Sequence, residues 1–263
     1  MPFFVVYLYI HKLKRYMAEF KIPTETVTLP SKGLLYPKES PLSKGEIEMK
    51  YMTAKEEDIL TNANYLKNGT AIDKLLQALI VTPIDYNELL IGDKNAILIA
   101  ARILGYGKDY TINYAGREVV VDLTQLSEKT IDKSLFKAGV NEFTFTLPKS
   151  ENTVTFKLLT HGDEQKIEAE IKGLQKINPN VSTDLTTRMK YIITSVNGDR
   201  DQKNIRDFID NYLLAPDARS LRQYYASISP DINMKFIPQD EDYVGEGIDI
   251  PVSLNFFWPD SGI

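Results

Sequence analysis

The chain has 263 residues, of which 43% are apolar, 25% charged and 10% aromatic, with a formal net charge of −5. It has no cysteine, and its only histidines are His11 and His161, so disulfides, thiolate nucleophiles, zinc–cysteine sites and histidine-rich metal sites are all excluded. The acid excess argues against a uniformly basic nucleic-acid surface, and a chain of this length can bury a core without covalent staples.

The apolar run Phe3–Ile10 is shorter than the about 20 residues a bilayer span needs. Its basic residues, Lys12, Lys14 and Arg15, follow the run, the reverse of a secretory signal. Met17 opens MAEFKIP like a natural start, so residues 1–16 are expected to be a non-native extension. Residues 17–52 read as an extended arm and a strand. Pro30, Pro37 and Pro41 with Gly33 and Gly45 exclude a helix, and GEIEMKYM alternates as a half-buried strand.

Residues 53–108 read as a helical core. Thr53 and Glu56 have capping-box spacing, and Asn68-Gly69 breaks the chain. Ile72, Leu75, Leu76, Leu79 and Ile80 form an apolar stripe that Pro83 ends. Asp93 is the expected cap of KNAILIAARIL, with Gly105 as its stop. Residues 109–160 read as two hairpins, 109–114 with 117–123 and 141–148 with 152–160. Residues 161–233 read as helical, with helices over 163–177, 185–196, 202–213 and 217–228, the last starting just after Pro216. Residues 234–263 read as a β-rich aromatic tail. The expected class is α+β: a helical block with β-hairpins, an extended N-terminal arm and a β-rich C-terminal tail.

Motifs for chemistry are scarce. Gly107-Lys108 lacks the other P-loop residues, since Arg102 and Asp109 stand where Gly and Ser or Thr are needed. Gly105 and Gly107 give GxG, but Tyr110 occupies the third glycine position. Asp199 and Asp201 have calcium-loop spacing, yet Asn204 and Asp210 fall where Gly and Glu are required. Asp240, Glu241 and Asp242 read as a solvated acidic turn. His161, beside Asp163 and Glu164, is the one acid–base candidate, and the bland alternative is a strand-to-helix junction whose acids favour the helix N-terminus. Tyr224 and Tyr225 near Arg219 and Arg222 read as a packed face with a charged rim. No catalytic, cofactor or metal residue is assigned, and neither nucleic acid nor membrane is an expected partner.

Two segments look built for contact. Leu34, Leu35 and Tyr36 sit in the proline-punctuated arm with no partner of their own. Phe256, Phe257 and Trp258, the single tryptophan, crowd the chain end. They either plug the protein's own core or anchor a partner. Alternation over DIPVSLNFFW would put Ile250, Val252, Leu254 and Phe256 on one face and Phe257 outward.

These segments carry a resemblance. The words LPSKG, LYP, SPLS, GEIE and KYMTAKEEDIL, then IDKLL and ALIV, resemble the T4-type bacteriophage baseplate protein family over about residues 24–83, and FFWPD is similar to that family's aromatic ending. The resemblance implies a non-enzymatic structural or assembly protein of a contractile-tailed phage baseplate hub. Its partners would be other hub and tail proteins, in the host cytoplasm during assembly and then in the virion baseplate if the protein remains there. A hub-assembly chaperone absent from the mature virion, and an enzyme using His161, are the alternatives.

Overall fold

A computed structural model describes residues 22–114, 116–179, 182–237, 247–252 and 254–257. The expectations for residues 1–16, for Asp240, Glu241 and Asp242, and for Trp258 lie outside the described residues.

Strand β1 (Thr24–Thr28) pairs antiparallel with β2 (Glu46–Lys50), in register from Thr24↔Lys50 to Thr28↔Glu46. In β2, Ile47 and Met49 are buried while Glu46 and Glu48 face outward, the alternation a one-sided strand requires. The segment between the two strands is not an extended arm. It turns back on itself through a 3₁₀ helix at Pro41–Lys44 and buries Leu29, Leu35, Tyr36 and Leu42.

Helix α1 (Ala54–Thr61) starts at Thr53, whose N–H donates to Glu56 Oε2 at 3.1 Å in a capping box. Burial pushes the Glu56 carboxyl up, but the Lys50 ammonium and the Thr53 donors outweigh it and hold it at about 2. The short α2 (Ala63–Asn68) stops at Gly69. Helix α3 (Ala71–Leu79) then buries Ala71, Leu75, Leu76 and Leu79. It ends before Pro83 because Ile80 pairs with Met49 and the Val81 N–H donates to Glu48 O at 2.8 Å, so the chain leaves the helix to extend the β2 edge.

Helix α4 (Ile91–Tyr106) is buried at Ala96, Ile97, Leu98, Ile99 and Ala101, as an almost uniformly apolar helix must be. Both of its predicted ends move. Asp93 lies in the third helical position and is buried, and Gly105 is inside the helix, with Gly107 (φ +83°) following the last turn. The buried Arg102 closes that turn, donating from Nη1 to Gly107 O at 2.7 Å and from Nη2 to Asp109 O at 2.9 Å.

Strands β3 (Asp109–Tyr114) and β4 (Arg117–Asp122) form the first predicted hairpin, and β5 (Phe143–Thr146) and β6 (Thr153–Phe156) the second. A third strand, β7 (Ile193–Val196), adds to β6 with a register shift at Thr155/Phe156. The helix expected over 185–196 therefore stops early, as α6 (Asp184–Ile192), where the sequence turns β-branched. Helices α5 (His161–Ile177), α7 (Gln202–Asn211) and α8 (Ala215–Ile228) complete the α+β fold, with Pro216 inside the first turn of α8.

The tail has less strand than expected. Among the described residues it contributes β8 (Lys235–Phe236), paired with β9 (Ile248–Asp249), and then a 3₁₀ turn at Leu254–Phe256. One hydrophobic cluster runs through all these parts, from Leu29 in the loop to Phe257 in the tail.

Candidate functional site

The densest polar constellation surrounds the first turn of α4, where adjacent residues Asp93 and Lys94 face two different clusters. Asp93 is fully buried. Its Oδ1 accepts the Ser31 N–H at 2.9 Å, and its Oδ2 accepts the Ser31 hydroxyl at 2.7 Å and the Tyr36 hydroxyl at 2.6 Å. The Tyr36 oxygen accepts the Leu90 N–H at 2.9 Å, closing the network onto the helix start. Burial pushes the Asp93 carboxyl up against these donors and raises the Tyr36 phenol beside it.

The loop from Leu29 to Gly45 is shaped to reach this carboxylate. Its two Ser-Lys-Gly triplets, 31–33 and 43–45, pack backbone to backbone. A Cβ on Gly33 would lie 2.3 Å from Ser43 O, and one on Gly45 2.6 Å from Lys32 O. Both glycines have positive φ, +75° and +73°, so any other residue there would meet both a clash and a strained backbone. Lys32, itself at φ +52°, pairs with Glu128 across the surface.

The arm residues singled out from sequence are thus corrected in place. Leu35 and Tyr36 are 2% and 4% exposed, so they have intramolecular partners and offer no free surface. Leu34 is half-buried, and its carbonyl accepts the Gly139 N–H at 2.7 Å. The exposed residues of the loop are Pro37, Lys38 and Glu39 at its tip and Lys44 next to Gly45.

Phe256 and Phe257 are both fully buried, so the outward position expected of Phe257 is also corrected. Phe256 packs edge-on against Tyr110 at 4.9 Å and against Phe257 at 5.4 Å. The physical reason is local geometry. The strand ends at Asp249 and Val252 is exposed, so the two-residue alternation never reaches the rings. Phe256 ends the 3₁₀ turn at Leu254–Phe256, where consecutive side chains are about 120° apart, and Phe257 follows in a bend, so no strand alternation separates the two rings and both enter one core.

His161 is the first residue of α5, at the strand-to-helix junction, and is 3% exposed. Thr160 caps the helix and Asp163 supplies the return bond. Around the imidazole the fold gathers groups that the sequence does not place together. Lys94 Nζ lies 3.2 Å from Nδ1, the Tyr86 ring packs edge-on at 4.6 Å, and Asp73 Oδ2 lies 3.7 Å from Nε2, which has no hydrogen-bond partner among the described residues. Asp73 also pairs with Lys94 at 2.5 Å and accepts the Tyr86 hydroxyl at 3.0 Å. Burial, then the Lys94 charge, pushes the His161 pKa down against the pull of Asp73, Glu168 and Glu164.

The other sequence candidates have structural duties. Asp201 caps α7 through the Lys203 and Asn204 N–H groups, and Asp199 accepts the Asp201 N–H at 2.9 Å. Tyr224 stacks on Phe145 at 4.9 Å. Among the described residues, no group of acidic or histidine side chains could hold a metal ion, and no helix is long and apolar enough to cross a membrane. Comparison with family models, with curated proteins and with solved structures returns no match.

Proposed function

We propose that the chain is a non-enzymatic structural or assembly protein of a contractile-tailed phage baseplate hub. It would act through contacts with other hub and tail proteins in the host cytoplasm and, as a component, in the virion baseplate. The support is the resemblance over residues 24–83 and at the aromatic ending. The observation that carries it furthest is the Asp93 network. The words behind the resemblance fold into a loop fixed by Ser31, Gly33, Tyr36 and Gly45, whose tip at Pro37, Lys38 and Glu39 stands in solvent. A loop fixed in this way presents one shape to a neighbour without the ordering cost of a free segment. The burial of His161, with its Nε2 enclosed, supports a packing role over an acid–base one.

Tagged full-length chain recovered from phage-infected cells should bring down hub and tail proteins, and mass spectrometry of purified virions should then sort the role. Stoichiometric peptides in virions mean a component. Complexes in cells with none in virions mean an assembly chaperone. Absence of baseplate proteins from both overturns the proposal.

A further inference from the structure

A cleft of about 240 Å³ opens beside the first turn of α4, between the ends of β6 and α8, with α5 and α6 along its sides. Its walls are aliphatic, from Leu90, Leu158, Leu159 and Ile192. Five polar side chains also line it: Glu164, Arg188, Tyr225, Ser229 and Asp231. Clefts that enclose a whole small molecule run to about 300–1,000 Å³. This one has room for a single long side chain.

Charge decides which side chain. Glu164 and Arg188 neutralise each other, with Nη1 at 2.6 Å from Oε1, and Arg188 Nε also faces Asp184 at 3.4 Å. Asp231 is left as the surplus charge. Its Oδ1 accepts the Asn95 amide at 3.0 Å and the Ile232 N–H at 2.8 Å, while Oδ2 has no protein donor among the described residues. The C-terminal end of α8 reaches the same cleft through Tyr225 and Ser229, and a helix C-terminus favours a cation. Tyr225 accepts the Leu159 N–H at 3.0 Å. Burial pushes its phenol up to about 12, with Glu164 and Asp163 adding to the rise against the Leu159 N–H and Arg188.

We propose that this cleft receives a lysine or arginine side chain of a partner protein, its aliphatic stem on the leucine walls and its charged head at Asp231. Long basic side chains have that division, an apolar stem and a charged end. The inference stands apart from the phage reading and survives its failure.

The test is a titration of the full chain with blocked amino-acid amides: Nα-acetyl-arginine, -lysine, -norleucine and -glutamate N-methylamides. Binding is followed through the methyl resonances of Leu90, Leu158, Leu159 and Ile192. The basic probes should shift these methyls and bind about fivefold tighter than norleucine, the upper end for a partly exposed ion pair. Asp231→Asn keeps the acceptor for Asn95 and Ile232 and should remove that preference. Arg188→Gln frees Glu164 and should strengthen basic binding. Equal binding of norleucine, preference for glutamate, an unchanged preference in Asp231→Asn, weaker basic binding in Arg188→Gln, or silent methyls overturn the proposal. Free arginine binding as tightly as its blocked amide overturns the assignment to a partner protein.

Discussion

At the scale of single residues, the fold is organised by two neighbours with opposite charges. Among the described residues Asp93 has no cation to pair with and is held by hydroxyls and an N–H, whereas Lys94 shares Asp73 with His161 and Tyr86. The second cluster makes stability depend on pH. The native His161 pKa lies below its ordinary value, which is about 6.5, so the unfolded chain binds the extra proton first. Its contribution is therefore intact above that value, falls as pH drops through it, and is fully lost below the depressed native pKa. The groups facing the ring are Lys94 from α4, Asp73 from α3, Tyr86 from the turn before α4, and Glu164 and Glu168 from its own helix. Urea unfolding at pH 7.5 and 5.5 should show a loss in the natural chain that is smaller in His161→Gln. An identical loss in both would exclude this histidine as its source.

Asp93 also marks how far local sequence carries. An acid ahead of KNAILIAARIL signals a helix start, and a helix does start there. An acid is favoured at the cap and throughout the first turn alike, so the signal cannot separate the two placements. Its partner Ser31 is 62 positions away, and no periodicity links them. His161 was legible as a junction residue, but Asp73, Tyr86 and Lys94 meet it only through the packing of α3, the 86–88 turn and α4 on α5.

Among elements, those with strong periodicity came out where expected: the α3 stripe, β2, both hairpins and most of the later helices. Elements fixed by long-range pairing did not. The run from Ile193 to Val196 continues an apolar helix pattern in sequence, and it becomes a strand because β6 offers an edge, with Thr155 opposite Ser195 and Val154 opposite Val196. Segment 29–45 looked unpartnered because its apolar residues have neither helix nor strand spacing, and its partners, Leu90, Asp93, Glu128 and Gly139, are distant in sequence. The tail looked like a strand because alternating apolar residues fit one, and its 3₁₀ turn gives a different outcome for mutation. Phe256→Ala and Phe257→Ala should both be folding mutants, each costing roughly 3–5 kcal/mol in chemical denaturation. A Phe257→Ala protein as stable as the parent would restore the outward ring.

For the whole molecule, the N-terminal block and the later sheet-and-helix block share one core and meet along a short seam. There the Ile91 N–H donates to Leu159 O at 3.2 Å and the His161 N–H donates to Leu89 O at 2.7 Å. The Asp93 network locks the 29–45 loop against that seam. At the far side, the buried Asp217 of α8 holds the β5–β6 turn by the Lys149 and Ser150 N–H groups, at 2.7 and 3.0 Å. The order of helices and hairpins made the α+β class legible, but which surfaces are free depends on how these blocks close.

The central claim is that the loop at 29–45 is part of the protein's own core, pinned by one carboxylate. Amide hydrogen exchange on the isolated chain measures this directly. Ser31, Tyr36 and Leu90 should exchange slowly in the natural sequence. In Asp93→Ala they should exchange much faster, while Lys149 and Ser150, held by Asp217, keep their protection. Exchange of the 29–45 segment at unfolded-chain rates in the natural protein would contradict the account and return the segment to a free arm.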